Sequence, residues 1–170
     1  MGTSSEEQPA TMKAEPQQEH QWLNRLLGEW TTEMEGETES GERATFTGTE
    51  SVRSLGGLWI IAEGQGEVPG GGIGRTIMTV GYDPQKKRYV GTFIGSMMTH
   101  LWVYDGHLDA GGMKLMLDSE GPSMTGDGGM AQYRDAIEFK SDDHRLLTSQ
   151  VLREDGSWQQ FMTAEYRRKK

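Results

Sequence analysis

The sequence predicts an all-β chain: a closed antiparallel meander barrel of about ten strands, with one short N-terminal helix capping a mouth. Three observations predict it. From Trp30 the even positions read Trp30, Thr32, Met34 and Gly36, while the odd ones read Glu29, Glu33, Glu35, Glu37 and Glu39. That period of two suits a strand with one buried and one wet face. After Gly28 no helical period returns, and short runs rich in Thr, Val, Ile, Tyr and Trp alternate with Gly, Asp and Pro turns. No crossover helices are available to join parallel strands, so the sheet is antiparallel, and closing it leaves no free edge.

Taken in order, residues 1–16, MGTSSEEQPATMKAEP, are rich in Glu, Gln, Ser and Thr and show no apolar pattern, which predicts a disordered N-terminal tail. Residues 17–170 are expected to form a single barrel domain, of a size suited to one core or cavity. In QQEHQWLNRLLG the pairs Trp22/Leu26 and Leu23/Leu27 recur at helical spacing, and Gly28 stands where a helix ends. This predicts a helix of about ten residues that buries Trp22 and the leucines over one mouth of the barrel. Strands are predicted near 29–38, 43–54, 58–67, 75–82, 88–95, 98–105, 112–118, 131–140, 145–153 and 158–167. Asp83-Pro84, Asp105-Gly106, Ser141-Asp142-Asp143 and Asp155-Gly156 supply turn chemistry between them. Val68–Gly72 and Glu120–Gly129 are too glycine-rich for strands and read as loops at a mouth, where ligand access is controlled.

Composition narrows the function classes. Seventeen basic against twenty-six acidic residues give a net charge of −9, which disfavours nucleic acid and anionic membranes as partners. The basic end Arg167-Arg168-Lys169-Lys170 reads as a solubilising tail. With no cysteine, the chain has no disulfide, thiolate metal site or cysteine nucleophile. It shows neither a secretory signal nor about 18 consecutive apolar residues, so the expected compartment is the cytoplasm.

No motif names a reaction. Gly121-Pro122-Ser123-Met124-Thr125 approaches a nucleophile elbow, but an elbow needs a strand feeding a helix. His20, His100, His107 and His144 contain no i,i+4 pair and no HExxH, so no metal ligands are assigned; His107 and His144 read as turn residues. Gly70-Gly71-Gly72-Ile73-Gly74 lacks the spacing and the following helix of a dinucleotide fingerprint. His100 lies in a predicted strand, one face of which carries Met98, His100, Trp102 and Tyr104 and the other Met97, Thr99, Leu101 and Val103. Either face suits the interior; with the first inside, an imidazole, an indole and a phenol line one wall and suit an aromatic ligand. Glu50 shares the parity of Phe46 and Val52, and Glu63 that of Trp59 and Ile61, so both carboxylates are expected inside, partnered by Arg134 or Tyr133. There they orient a polar or cationic ligand group or form a structural ion pair. Eleven methionines suit an adaptable interior.

Leu27-Gly28-Glu29-Trp30, Leu55-Gly56-Gly57, Gly81-Tyr82-Asp83, Phe93–Met98, Leu101–Gly106, Glu120–Ser123, Tyr133-Arg134-Asp135, Asp143-His144, Phe161-Met162 and Tyr166-Arg167-Arg168 together resemble a bacterial, calycin-like family known only as domain of unknown function fifteen seventy-nine. The resemblance spans nearly everything from His20 to Arg168 and implies a lipocalin-like barrel; the family brings no activity with it. Haem ligation by His100 would resemble the haem-binding barrels of the calycin group, but no second feature points to haem, and no cofactor is expected.

The leading expectation is a barrel that binds a small, largely apolar or aromatic molecule, with Trp30, Glu50, Trp59, Glu63, His100, Trp102, Tyr104 and Arg134 as candidate ligand-binding residues and no catalytic residue. The alternatives are an isomerase or hydrolase of small molecules, using Glu50 or Glu63 as base with His100, and a filled barrel acting as a homodimeric interaction protein.

Overall fold

The computed structural model describes residues 13–38 and 40–170. Most of the expected N-terminal tail, residues 1–12, lies outside the described residues. A helix α1 (Gln18–Leu23) continues into a 3-10 turn (Asn24–Leu26) and leads into ten strands: β1 (Gly28–Glu37), β2 (Arg43–Leu55), β3 (Trp59–Glu67), β4 (Ile73–Asp83), β5 (Arg88–Gly95), β6 (Trp102–Leu108), β7 (Lys114–Pro122), β8 (Met130–Ser141), β9 (His144–Leu152) and β10 (Trp158–Arg168). Each strand pairs with its neighbour in the chain, and β1 pairs antiparallel with β10 to close a ten-stranded meander barrel.

The alternation in β1 is as its sequence dictates: Trp30 is fully buried, and Glu29, Thr31, Glu33, Glu35 and Glu37 are exposed. The helix is shorter than predicted, because Leu27 turns to extended backbone and the last turn tightens into 3-10. It still plugs the mouth. Leu23 and Leu26 are buried, Trp22 donates its indole N–H to the Gly112 carbonyl at 2.6 Å, and Tyr89 donates its hydroxyl to the Glu19 carbonyl at 2.8 Å. His20 accepts the Gln17 backbone N–H at Nδ1 (2.9 Å) and lies 3.0 Å from the Tyr82 carbonyl at Nε2. A carbonyl only accepts, so this buried imidazole is the neutral tautomer with its proton on Nε2.

The helix end of the barrel is filled. Ile60, Val80, Leu115, Leu117, Ile137 and Phe139 pack beneath the helix, and among them Arg145 of β9 reaches Glu50 of β2 at 2.6 Å. The guanidinium lies 4.6 Å from the Trp30 ring centroid and 4.0 Å from that of Tyr166. Trp30 faces Glu50 in the register of β1 and β2, and Tyr166 faces Arg145 in that of β10 and β9, so the four residues straddle the closing seam. The seam itself is short. Pairing of β1 with β10 runs only from Trp30↔Arg168 to Met34↔Ala164, and β10 bulges between Gln160 and Met162, so the two strands part toward the other end.

Some boundaries differ from those expected. The segment 98–101 belongs to a loop, and β6 begins at Trp102. Tyr104-Asp105-Gly106 is strand interior and not a turn: a Cβ on Gly106 would meet the Met116 carbonyl at 2.6 Å, so glycine serves close approach of neighbouring strands. His107 is accordingly a strand residue. Glu120 and Gly121 extend β7 instead of starting a loop.

Removing Arg145 strands Glu50 in an apolar interior, whereas Arg53 and its partner Glu63 are both largely exposed. Arg145→Ala is expected to lower unfolding stability by about 3–5 kcal/mol and Arg53→Ala by less than about 1 kcal/mol, both read from urea unfolding midpoints.

Candidate functional site

At the end away from the helix the barrel is hollow. The connections 68–72, 96–101, 123–129 and 153–157 stand at this end, and a cavity of about 550 Å³ opens beside 96–101 and 123–129. Its walls are aromatic: Phe93 of β5, Trp102 and Tyr104 of β6, Tyr133 of β8 and Phe161 of β10. Met98 and His100 from the β5–β6 loop and Met124 from the β7–β8 loop form its rim.

The register puts these groups together. Phe93 pairs with Trp102, so both point inward from adjacent strands, and the ring edges then run on from His100 to Trp102 (4.7 Å between centroids), Tyr133 (5.1 Å) and Phe161 (6.2 Å). Edge-to-face contacts of this kind hold rings at fixed angles. Their polar tips are tied to the wall: Trp102 donates to the Met98 sulfur at 3.0 Å, Tyr133 to the Pro122 carbonyl, and the Nε2 of His100 lies 2.9 Å from the Glu120 carbonyl. Gly121 lies flat under the Trp102 indole, where a Cβ would collide with the ring. A side chain at position 121 would therefore drive Trp102 into the cavity.

The floor is polar. Asp135 pairs across β8 and β9 with Ser149, whose hydroxyl donates to Oδ1 at 2.6 Å, while the Tyr104 hydroxyl donates to Oδ2 at 2.6 Å. Burial raises Asp135 above its ordinary carboxyl value, and the two donated hydrogen bonds partly oppose that rise. Burial, and then the charge of Asp135, hold the Tyr104 phenol well above its ordinary value, so it remains a donor at neutral pH.

Three of the eight residues expected at a site line this cavity: His100 at the rim, Trp102 on the wall and Tyr104 at the floor. This also decides which face of β6 is inside. Two more point inward outside this cavity: Trp30 is fully buried in the filled half, and Glu50, bound to Arg145 instead of to Arg134 or Tyr133, borders a separate pocket of about 150 Å³. The remaining three are corrected to the outer surface. In β3, Ile60 and Ala62 take the inward positions, which turns Trp59 and Glu63 outward; Glu63 pairs with Arg53 at 2.5 Å, and Trp59 covers Gly81 from outside. In β8, Tyr133 and Asp135 face inward, so Arg134 faces out, where it holds Asp118 at 2.7 Å and stacks over Trp158 at 4.5 Å. Phe93, Asp135, Ser149 and Phe161 were not anticipated. Asp135 was accessible to sequence reading, because it shares the parity of Tyr133, Ile137 and Phe139. Among the described residues no group of three or more His, Asp or Glu side chains could hold a metal ion.

Fold and cavity together define a closed ten-stranded barrel, plugged at one end and open to an apolar chamber at the other. The chain belongs to the family described as protein of unknown function (DUF1579), whose model matches residues 15–168. No curated protein matches it. Among solved structures it is similar to Rv2717c from M. tuberculosis, at 12% identity and a TM-score of 0.59, with 92% of this chain and 100% of that chain covered. It is also similar to the S-type phycobiliprotein lyase CPES from Guillardia theta, at 13% identity and a TM-score of 0.55, with 91% and 99% covered. These likenesses show a shared fold.

A carboxyl whose folded value lies above its unfolded one keeps its proton longer in the native state, so the stability it contributes is lost as pH rises from about 3.8 through the raised value. Asp135→Asn does not titrate. Its urea midpoint, measured relative to that of the unaltered protein, is expected to climb across this window and to stay level above it.

Proposed function

We propose that the protein binds a small, largely apolar molecule in the cavity at its open end. The observation that carries this is the chamber of about 550 Å³ walled by five aromatic side chains, with hydrogen-bonding groups gathered at its floor. Ligand sites are commonly concave, about 300–1,000 Å³, apolar in the main and fitted with a few convergent polar groups. The catalytic alternative loses support, because Glu50 is held by Arg145, Glu63 faces solvent and His100 stands at the rim; the three share no chamber.

The net charge of −9 supports a partner that is neither nucleic acid nor an anionic membrane. Among the described residues no helix is long and apolar enough to cross a membrane. Homodimerisation is supported by a row of exposed aliphatic side chains on the outer face of β4 to β6, where Ile77 pairs with Ile94 and Val103 lies alongside. A two-fold contact sets such a patch against its own copy.

Titration with the neutral fluorophore N-phenyl-1-naphthylamine tests the binding reading. Saturable one-to-one binding is expected, with affinity reduced about tenfold or more in Ser119→Phe, which fills the cavity wall; tenfold corresponds to about 1.4 kcal/mol. Absence of saturable binding to the unaltered protein overturns the reading. In sedimentation velocity, Ile94→Lys is expected to run as a monomer under conditions where the unaltered protein runs as a dimer.

A further inference from the structure

We propose that the molecule bound in this cavity carries a cationic nitrogen, as an aromatic or apolar amine or amidine whose N–H groups seat on Asp135. The inference rests on the binding reading above and deepens it.

Among the described residues two carboxylates, Glu50 and Asp135, point into the barrel, and their surroundings differ. Glu50 has a full counter-charge: Arg145 at 2.6 Å, itself packed between Trp30 and Tyr166. Asp135 has only neutral donors, the hydroxyls of Tyr104 and Ser149, one on each oxygen. A carboxylate accepts about four hydrogen bonds, so each oxygen retains a free lone pair. Among the described residues no lysine or arginine lines the chamber, and the one basic group there, His100, sits at the rim with Nε2 directed to the Glu120 carbonyl. A carboxylate in an apolar chamber without a counter-ion is costly, and a ligand that brings the missing positive charge relieves that cost. An anionic ligand would meet the same carboxylate as a repulsive charge, with no guanidinium or ammonium to receive it.

The walls suit the same ligand. Trp102, Tyr133, Phe93 and Phe161 supply ring surface for an apolar body, and aromatic faces attract cations besides. The surface that adjoins the chamber at Phe161 has the matching sign. Where β1 and β10 part, a groove runs along the seam bordered by Glu33, Glu35, Glu37 and Glu165, with Arg43 the only basic lining residue among those described; Phe161 lines both groove and chamber. Acidic borders of this kind raise the local concentration of cations.

Three probes with one naphthalene body and different charge test the inference by isothermal titration at neutral pH: 1-naphthylmethylamine, protonated under these conditions, 1-naphthylmethanol and 1-naphthylacetate. The ammonium probe is expected to bind the unaltered protein at least about tenfold more tightly than the alcohol, and the carboxylate most weakly, as a hydrogen bond to a charged group implies. Asp135→Asn is expected to reduce ammonium affinity to that of the alcohol while moving the alcohol less than about threefold. The order of affinities in the unaltered protein is decisive alone, so a poorly folded variant does not rescue the inference. Equal binding of amine and alcohol, or tightest binding of the carboxylate, overturns it and leaves the cavity reading standing. Failure of all three probes to bind overturns both.

Discussion

The closed half of this barrel depends on one buried ion pair, Arg145 with Glu50, packed against Trp30 and Tyr166. Its four members come one from each of β9, β2, β1 and β10, the strands that flank the closure. A meander can close only if its first and last strands find one register, and here they share five paired positions. A buried ion pair is weak evidence of net stability, since apolar residues of equal volume often serve as well. Its value here is positional. An arginine that must meet a glutamate across the seam penalises any slip of one residue, which would turn one charge to solvent and leave the other buried.

The same arrangement explains why the barrel is two objects in one. Beneath the helix the aliphatic core and the ion pair fill the interior, and Trp30 is completely enclosed. Above them, the inward positions of β7 to β9 change from aliphatic to polar: Leu117 gives way to Ser119, Ile137 to Asp135, Leu147 to Ser149. The polar floor stands at this boundary. Because Asp135 and Ser149 are directly paired, and Tyr104 reaches them from β6, the floor is made of sheet and not of loop, which gives it rigidity. The rim is made of loop residues, Met98, His100 and Met124, where variation costs the fold little.

Much of the architecture was legible in the sequence because antiparallel strands announce themselves by period. The alternation of β1, the turn residues between hairpins and the capping segment each have a local physical cause, and the strands fall close to where those causes place them. The site was legible only in part, and the failures are specific. Trp59-Ile60-Ile61-Ala62 is apolar at both parities, so pattern alone could not tell which pair faced inward, and Glu63 went with the wrong one. Arg134 and Asp135 are adjacent charges, of which one must be inside; Ile137 and Phe139 were the guide to which. Nothing local joins Tyr104 to Asp135, which meet across the intervening β7, or Glu50 to Arg145, which only closure of the barrel brings together.

The parted seam has a consequence for the behaviour of the protein in concentrated solution. Beyond Met34 the backbone of β1 runs free of its partner β10, and a strand with open N–H and C=O groups is a template onto which another chain can add. This stretch carries Glu35 and Glu37 on its outer face, with Glu33 just below. A second copy docking edge to edge would bring like charges together within a few ångströms, so the acidic row acts as a guard against runaway polymerisation where the closing seam stands ajar.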